Sequence, residues 1–229
     1  MSWEPVIITP TTFICGLDLG QANDYSALIV AERITGPDGL TSYDVRSIER
    51  LPLQAPYPVQ VRHTFDVIRN LAAIGSTPKL HLVVDYTGCG RPVAGLLTDA
   101  GFDELGCSLA FVTITGGDAV TKGAHNEYRV PKRDLVSAVL VLLQSKRLRF
   151  AADDPLSKTL RTELTGFRAK ISLSGHDSYG AGEDWRSAPH DDLVLATAMA
   201  VWYGETAMIG GWDHELHAGL SAWLQTTGV

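Results

Sequence analysis

TFICGLDL, residues Thr12 to Leu19, is apolar at nearly every position and ends at Gly20. Such a run reads as a strand buried on both faces of a central sheet. Its only ionisable side chain besides Cys15 is Asp18, and an isolated ionised carboxylate there is costly unless it is paired or bound to a metal ion. Outward from this strand, Tyr25–Glu32 (YSALIVAE) reads as a second strand and Thr41–Glu49 (TSYDVRSIE), with period-two alternation, as a third. Gly36-Pro37-Asp38-Gly39 is the turn between those two, so three consecutive antiparallel strands are expected.

The pattern then changes to helical spacing. Tyr57–Ile74 is an amphipathic helix stopped by Gly75 and Pro78, Leu80–Asp85 (LHLVVD) a short buried strand, Pro92–Ala100 a helix, and Ser108–Thr115 (SLAFVTIT) another strand. Strand, helix, strand at these lengths implies parallel pairing. After a polar loop, Pro131 begins a helix whose stretch VSAVLVLL is apolar almost all round, and a further helix covers Pro155–Leu164. The Gly- and Ser-rich alternation of Phe167–Pro189 predicts a hairpin. A last helix covers Asp191–Tyr203, whose Ala196, Ala198 and Ala200 permit close approach to a sheet. The fold class is therefore α/β, with a mixed five-stranded sheet flanked by helices and an additional hairpin before the last main helix. Residues 1–206 form one domain, and the tail 207–229 holds at most one short helix.

Composition limits the function. The chain has 229 residues, 45% of them hydrophobic, enough for one complete core and unlike a disordered, collagen-like or disulfide-stapled chain. No apolar run is long enough for a membrane-spanning helix, and the opening MSWEP lacks a signal-peptide core, so a protein with no membrane partner that is not secreted is expected. Three cysteines, Cys15, Cys89 and Cys107, form no C-x-x-C pair and read as reduced cytosolic thiols. With 19 Lys and Arg against 26 Asp and Glu, the formal charge is −7. That argues against coating nucleic acid by bulk attraction and leaves a local basic surface, with carboxylates to spare for cations.

Three acidic positions stand where a buried element begins or ends: Asp18, Asp85 closing LHLVVD, and the pair Asp191-Asp192 opening the last helix as His-Asp-Asp-Leu. Taken singly, a strand-end Asp is a turn former and Asp191 an N-cap. Together, acids from a first strand, a middle strand and a late helix could converge at one sheet edge and bind two divalent cations about 3.5 to 4 Å apart, as in-line phosphodiester hydrolysis uses them. Hard oxygen ligands suit Mg2+ or Mn2+.

This order of elements and acids resembles the ribonuclease H-like nucleases. Within them, GLDLGQANDYSALIV, VVDYTGCGRPVAGLL, ITGGDAV, VPKRDLVSAVLVLLQSKRL and above all GFRAKIS followed by HDDLVLATAMA look like the nuclease domain of tailed-bacteriophage large terminases, over roughly Phe13–Tyr203. The resemblance implies a two-metal endonuclease that cuts concatemeric viral DNA during genome packaging in the host cytoplasm. Asp18, Asp85, Asp191 and Asp192 would be catalytic metal ligands, with Asp24 assisting. The implied partners are double-stranded DNA, a terminase ATPase motor domain, the small terminase and the portal protein. No G-x-x-x-x-G-K-[ST] loop exists here, so the motor is not on this chain, which would be an excised domain or a separately encoded nuclease.

A nuclease on duplex DNA needs positive charge near its metals. Lys122, Arg129, Lys132 and Arg133 surround one loop and helix start, while Arg168, Lys170 and Arg186 bracket the predicted hairpin. Lys122, Arg129, Arg168, Lys170 and Arg186 are the candidate DNA contacts, with Arg168 and Lys170 favoured. The alternatives are a Holliday-junction resolvase, which would prefer branched DNA, an actin-like or sugar-kinase-type ATPase, whose second D-x-G loop is not evident, and an assembly module that has lost its metals.

Overall fold

A computed structural model describes residues 10–20, 24–75, 77–87, 90–173 and 191–208, with backbone only at 90–91 and 166–173. The strands are β1 Thr12–Asp18, β2 Ser26–Thr35, β3 Thr41–Leu51, β4 Lys79–Asp85, β5 Cys107–Thr115, β6 Thr121–Lys122, β7 Glu127–Pro131 and β8 Leu148–Phe150. They form one sheet in the order β6-β7-β5-β4-β1-β2-β3-β8. β1, β2 and β3 are antiparallel, and β4 and β5 continue the sheet in parallel from β1, as the sequence predicts.

The expected count of five strands is corrected to eight. β7 adds a parallel strand beside β5 with β6 folded back on it, and β8 adds a parallel edge to β3. β6 and β8 have two and three residues, too few for a period-two pattern to be read, and β7 lies in a stretch that is polar overall.

The helices are α1 Tyr57–Ala72, α2 Gly90–Asp99, α3 Lys132–Gln144, α4 Pro155–Leu173 and α5 Asp192–Trp202, the last continued by a wide π-type turn over Tyr203–Ala207. α4 overturns the start of the predicted hairpin. Phe167, Ala169 and Ile171 alternate like a strand, but they follow a helix already nucleated at Pro155, and extending a helix is far easier than starting another element. The rest of that predicted hairpin, 174–189, and the tail beyond residue 208 lie outside the described residues. No helix among the described residues is long and apolar enough to cross a membrane.

The alternation of β1 divides the core. Phe13, Cys15 and Leu17 pack with Ile68 of α1, Leu97 of α2 and Phe102, while Ile14 packs on the other face with α3, α4 and α5. α3, apolar almost all round in sequence, buries Leu135, Val136, Val139 and Leu142 against the core while its other apolar residues are partly exposed. α5 is the buried helix: Ala196, Ala198 and Ala200 are fully covered, as the small residues suggested. It lies so close to β1 that a Cβ on Gly16 would come within 1.9 Å of the Ala196 carbonyl oxygen. Cys15 and Cys107 are free and buried, as expected of structural thiols; Cys89 lies outside the described residues.

Candidate functional site

Strand register turns scattered acids into a line. Asp18 of β1 is opposite Ala27 of β2, and Ala27 is opposite Arg50 of β3. On the other side of β1, Leu17 pairs with Val84, which sets Asp18 beside Asp85. From Asp85 the same line continues through Val112 of β5 and Tyr128 of β7 to Lys122 of β6. Residues in one cross-strand row point to one face, and Ala27, Val112 and Tyr128 belong to the core under α5. Two acids thus stand in mid-sheet at the carboxyl ends of β1 and β4, with a cation further along on each side. Strands are about 4.8 Å apart, so Arg50 lies roughly 10 Å from Asp18, across the bare methyl of Ala27.

α5 supplies the second pair of acids from above this row. Asp191 occupies the N-cap position but makes no capping hydrogen bond through its side chain; instead it accepts from Lys132 Nζ at 3.0 Å. The capping role expected of a lone Asp is therefore not the one it takes. Asp192, 6% exposed, is gripped by Arg50, whose Nε donates to Oδ2 at 2.8 Å and Nη2 to Oδ1 at 2.9 Å. The same Nη2 donates to Glu163 Oε1, and Glu163 Oε2 accepts from the Val194 amide at 3.4 Å in the first turn of α5. The guanidinium carbon of Arg50 also lies 4.9 Å from the centre of the Tyr25 ring, a cation–π contact.

Asp85 keeps a turn-forming role as well. Its Oδ1 accepts from the Thr87 amide at 2.7 Å, and Thr87 Oγ1 accepts from the Ile114 amide at 2.7 Å, tying the β4 exit to β5. At the exit of β1, the Gly20 amide donates to Ser26 Oγ at 3.0 Å, and Ser26 donates to Gln60 Oε1 at 2.7 Å. Both loops that carry acids are thus anchored to neighbouring elements.

The acids feel one another. Loss of water holds the Asp18 carboxyl well above the usual range, and the charges of Asp85, Asp192, Asp191 and Asp24 push it further. Burial raises Asp85 to about 6 against the opposing hydrogen bonds from Thr87 and the charge of Lys132. Burial and the charge of Asp192 raise Glu163 to about 7, with Arg50 opposing. Asp24 is exposed, and its charge is the weakest of those named on Asp18.

In donor type and charge this set suits hard divalent cations: oxygen ligands only, and five carboxylates with two protein cations among them. The side chains are nonetheless spread onto Arg50 and Lys132. Among the described residues, no group of three His, Cys, Asp or Glu side chains could hold a metal ion as they stand.

The basic candidates separate. Lys122 lies 5.4 Å from the centre of the Tyr128 ring, at one end of the cross-strand row, and Arg129 is exposed on β7. Lys132 pairs with Asp191, and Arg133 pairs with Asp118 at 2.7 Å. Arg168 and Lys170 fall on the last turns of α4 rather than on a hairpin arm, and Arg186 lies outside the described residues.

Arg50 and Glu163 are the residues that sequence reading missed. Both break an apolar pattern: Arg50 has the inward parity of Ile48 on β3, and Glu163 falls on the Leu156, Leu160, Leu164 side of α4. In the sequence only Glu163 carries that mark, because the alternation of Tyr43 and Val45 sets Arg50 outward and a bulge that leaves Arg46 unpaired turns it inward.

No protein-family model and no curated protein matches the chain. Among solved structures, it is similar to the human cytomegalovirus terminase nuclease domain, Mn-soaked and inhibitor-bound: 13% identity over 86% of this chain and 84% of that one, with a TM-score of 0.52. It also matches the large terminase nuclease of thermophilic phage G20c, at 20% identity over 85% and 82% of the two chains and a TM-score of 0.49. Thermus thermophilus RuvC matches at 13% identity over 86% and 96%, with a TM-score of 0.41. The cytomegalovirus likeness is one of fold. With the mixed sheet and its flanking helices, the chain has the ribonuclease H-like architecture expected from its sequence.

Proposed function

We propose that this chain is a metal-dependent DNA endonuclease of the terminase type, which cuts concatemeric viral DNA during genome packaging in the host cytoplasm. The observation that carries the reading is the gathering of Asp18, Asp85, Asp191 and Asp192 around the carboxyl ends of β1 and β4, with Glu163 beside them and, among the described residues, fewer paired cations than carboxylates. Structural ion pairs balance charge, whereas an unbalanced acidic group at the end of parallel strands suits a cation-dependent site.

In this reading Asp18 and Asp85 hold divalent ions from the sheet, and Asp191 and Asp192 hold them from the start of α5, with Asp24 at the margin. Mg2+ or Mn2+, two ions together, would supply an activated water and neutralise the charge that builds on the phosphate and the leaving oxygen. The protein's own contribution is placement. The Thr87 and Ser26 hydrogen bonds fix the two strand exits, and the first amides of α5 favour anionic groups at its N-terminus. Lys122 and Arg129 on the β6–β7 edge, with Arg168, Lys170 and Arg186, would hold the DNA backbone without reading bases. The proposed partners are double-stranded DNA and, supplied by other polypeptide segments, an ATPase motor, the small terminase and the portal.

The test is cleavage of supercoiled plasmid with Mg2+, Mn2+, Ca2+ or chelator, comparing the parent with Asp85→Ala. Cleavage that needs Mg2+ or Mn2+ and vanishes in a folded Asp85→Ala variant is expected. A folded parent that leaves the plasmid intact with every metal counts against an autonomous nuclease.

A further inference from the structure

The proposed ligands are not equally available. Asp191 is held by one ammonium and is about a third exposed, whereas both oxygens of Asp192 are engaged by the fork of Arg50 at a site 7% exposed. Arg50 is itself locked, by Glu163 on one side and the Tyr25 ring on the other, at the end of the row that begins with Asp85 and Asp18. Only the methyl of Ala27 separates Arg50 from Asp18 along that row. The guanidinium therefore stands at the flank of the acids and draws Asp192 towards β3.

We infer that Arg50 is a positioning residue for Asp192, an internal cation that holds this carboxylate away from the other acids until a divalent ion takes its place. The inference rests on the metal-dependent reading above and adds an exchange to it. Asp192 leaves the guanidinium fork to meet the incoming ion, and Arg50 stays on Glu163 and Tyr25. Three features argue for exchange rather than a permanent brace. Arg50 has a second carboxylate to retain, so release of Asp192 does not strand a buried charge. The Asp192 carboxylate lies within the electrostatic reach of Asp18. Finally, both oxygens of Asp192 accept from the Arg50 fork, so this carboxylate can meet an ion only by giving up that grip.

The test uses the whole chain, with Mn2+ binding followed by the loss of the free-ion electron paramagnetic resonance signal, in the parent, Arg50→Lys and Arg50→Gln. Arg50→Lys keeps the charge and loses the two-pronged grip, so Mn2+ should bind about tenfold tighter, and tighter still in Arg50→Gln if it folds. A brace with no part in metal loading would lower thermal stability and leave Mn2+ affinity unchanged. Equal or weaker Mn2+ binding in Arg50→Lys overturns the inference. In parallel, the Arg50 Nε–H resonance of the parent, assigned by its absence in Arg50→Lys, should move as Mg2+ is added. A resonance that stays fixed while the ion binds overturns it without recourse to a mutant. If neither parent nor Arg50→Lys binds Mn2+, the metal-dependent reading itself fails and takes the exchange with it; if the parent binds and only the affinity order is wrong, the exchange fails alone.

Discussion

The two ends of α5 carry the same kind of contact and put it to different ends. At its far end, Glu205 accepts from Arg147 Nη2 through both oxygens at 2.8 Å and from the Tyr43 hydroxyl at 2.9 Å. At its start, Asp192 accepts two bonds from Arg50 in much the same way. Tyr43 and Arg50 lie on one strand, seven residues or roughly 23 Å apart. At the far end the one carboxylate meets Arg147, with Arg33 also beside Tyr43, and burial with the charge of Glu205 pushes the Tyr43 hydroxyl upward against Arg33 so that it stays a donor. At the start, Glu163, Asp18, Asp85 and Asp191 crowd the same neighbourhood, with Lys132 as the one further cation paired to them among the described residues. Balanced pairing ties a helix end to a sheet; the unbalanced end stores repulsion that a cation relieves.

The contrast can be broken by substitution. Asp18→Asn should lower metal-dependent plasmid cleavage by at least about a hundredfold, yet raise the thermal midpoint in chelator, because it removes a carboxylate that its neighbours repel. A fall in both would mean that the two ends of α5 are alike. Glu205→Ala should do the reverse: it takes the carboxylate from Arg147, which keeps its bond to the Thr41 carbonyl, and from the Tyr43 hydroxyl, and costs about 2 kcal/mol, reduced from the buried-pair range because both partners are partly exposed. Cleavage per folded molecule should be unchanged, which denaturant titration and the plasmid assay together would check.

Acidity sharpens the comparison. Asp85 and Glu163 titrate higher in the fold than when unfolded, so the native state binds more protons between their ordinary values and about 6 or 7. Their stabilising contribution is complete at low pH and is lost as pH rises through those raised values. In chelator, the thermal midpoint should therefore fall between about pH 4 and pH 6 more steeply in the parent than in Asp85→Asn, and Mg2+ should flatten the difference. The smallest effect is expected at Lys132→Ala, where an ion pair about a third exposed on each side contributes roughly 0.5 kcal/mol to stability in chelator.

Periodicity made the central strands and the order of α1 to α3 readable, because each buries a face over many residues. It failed where an element was too short, as at β6 and β8, or where one segment fits two periods, as Phe167–Ile171 does before it joins α4. The acids were legible because a carboxylate at the end of a buried strand is costly and therefore conspicuous. Their alignment was not, since it depends on which residue of β1 faces which of β2 and β4, and a shift by one would turn Asp18 to the opposite face. Arg50 was hidden for the same reason: the bulge that skips Arg46 reverses the parity set by Tyr43 and Val45, and the partners of Arg50 on α4 and α5 follow more than a hundred residues later.

Gly16 bears no chemistry, but it sets the gap between β1 and α5. A methyl group in its place must displace the Ala196 backbone, and with it the helix that carries Asp191 and Asp192. The acids on the sheet would stay where they are while those on the helix moved off. A homologous sequence could thus keep every carboxylate and still lose the function proposed here through one small residue two positions before Asp18. Counting acids is an incomplete census of such a site; the thickness of the layer between them has to be counted too.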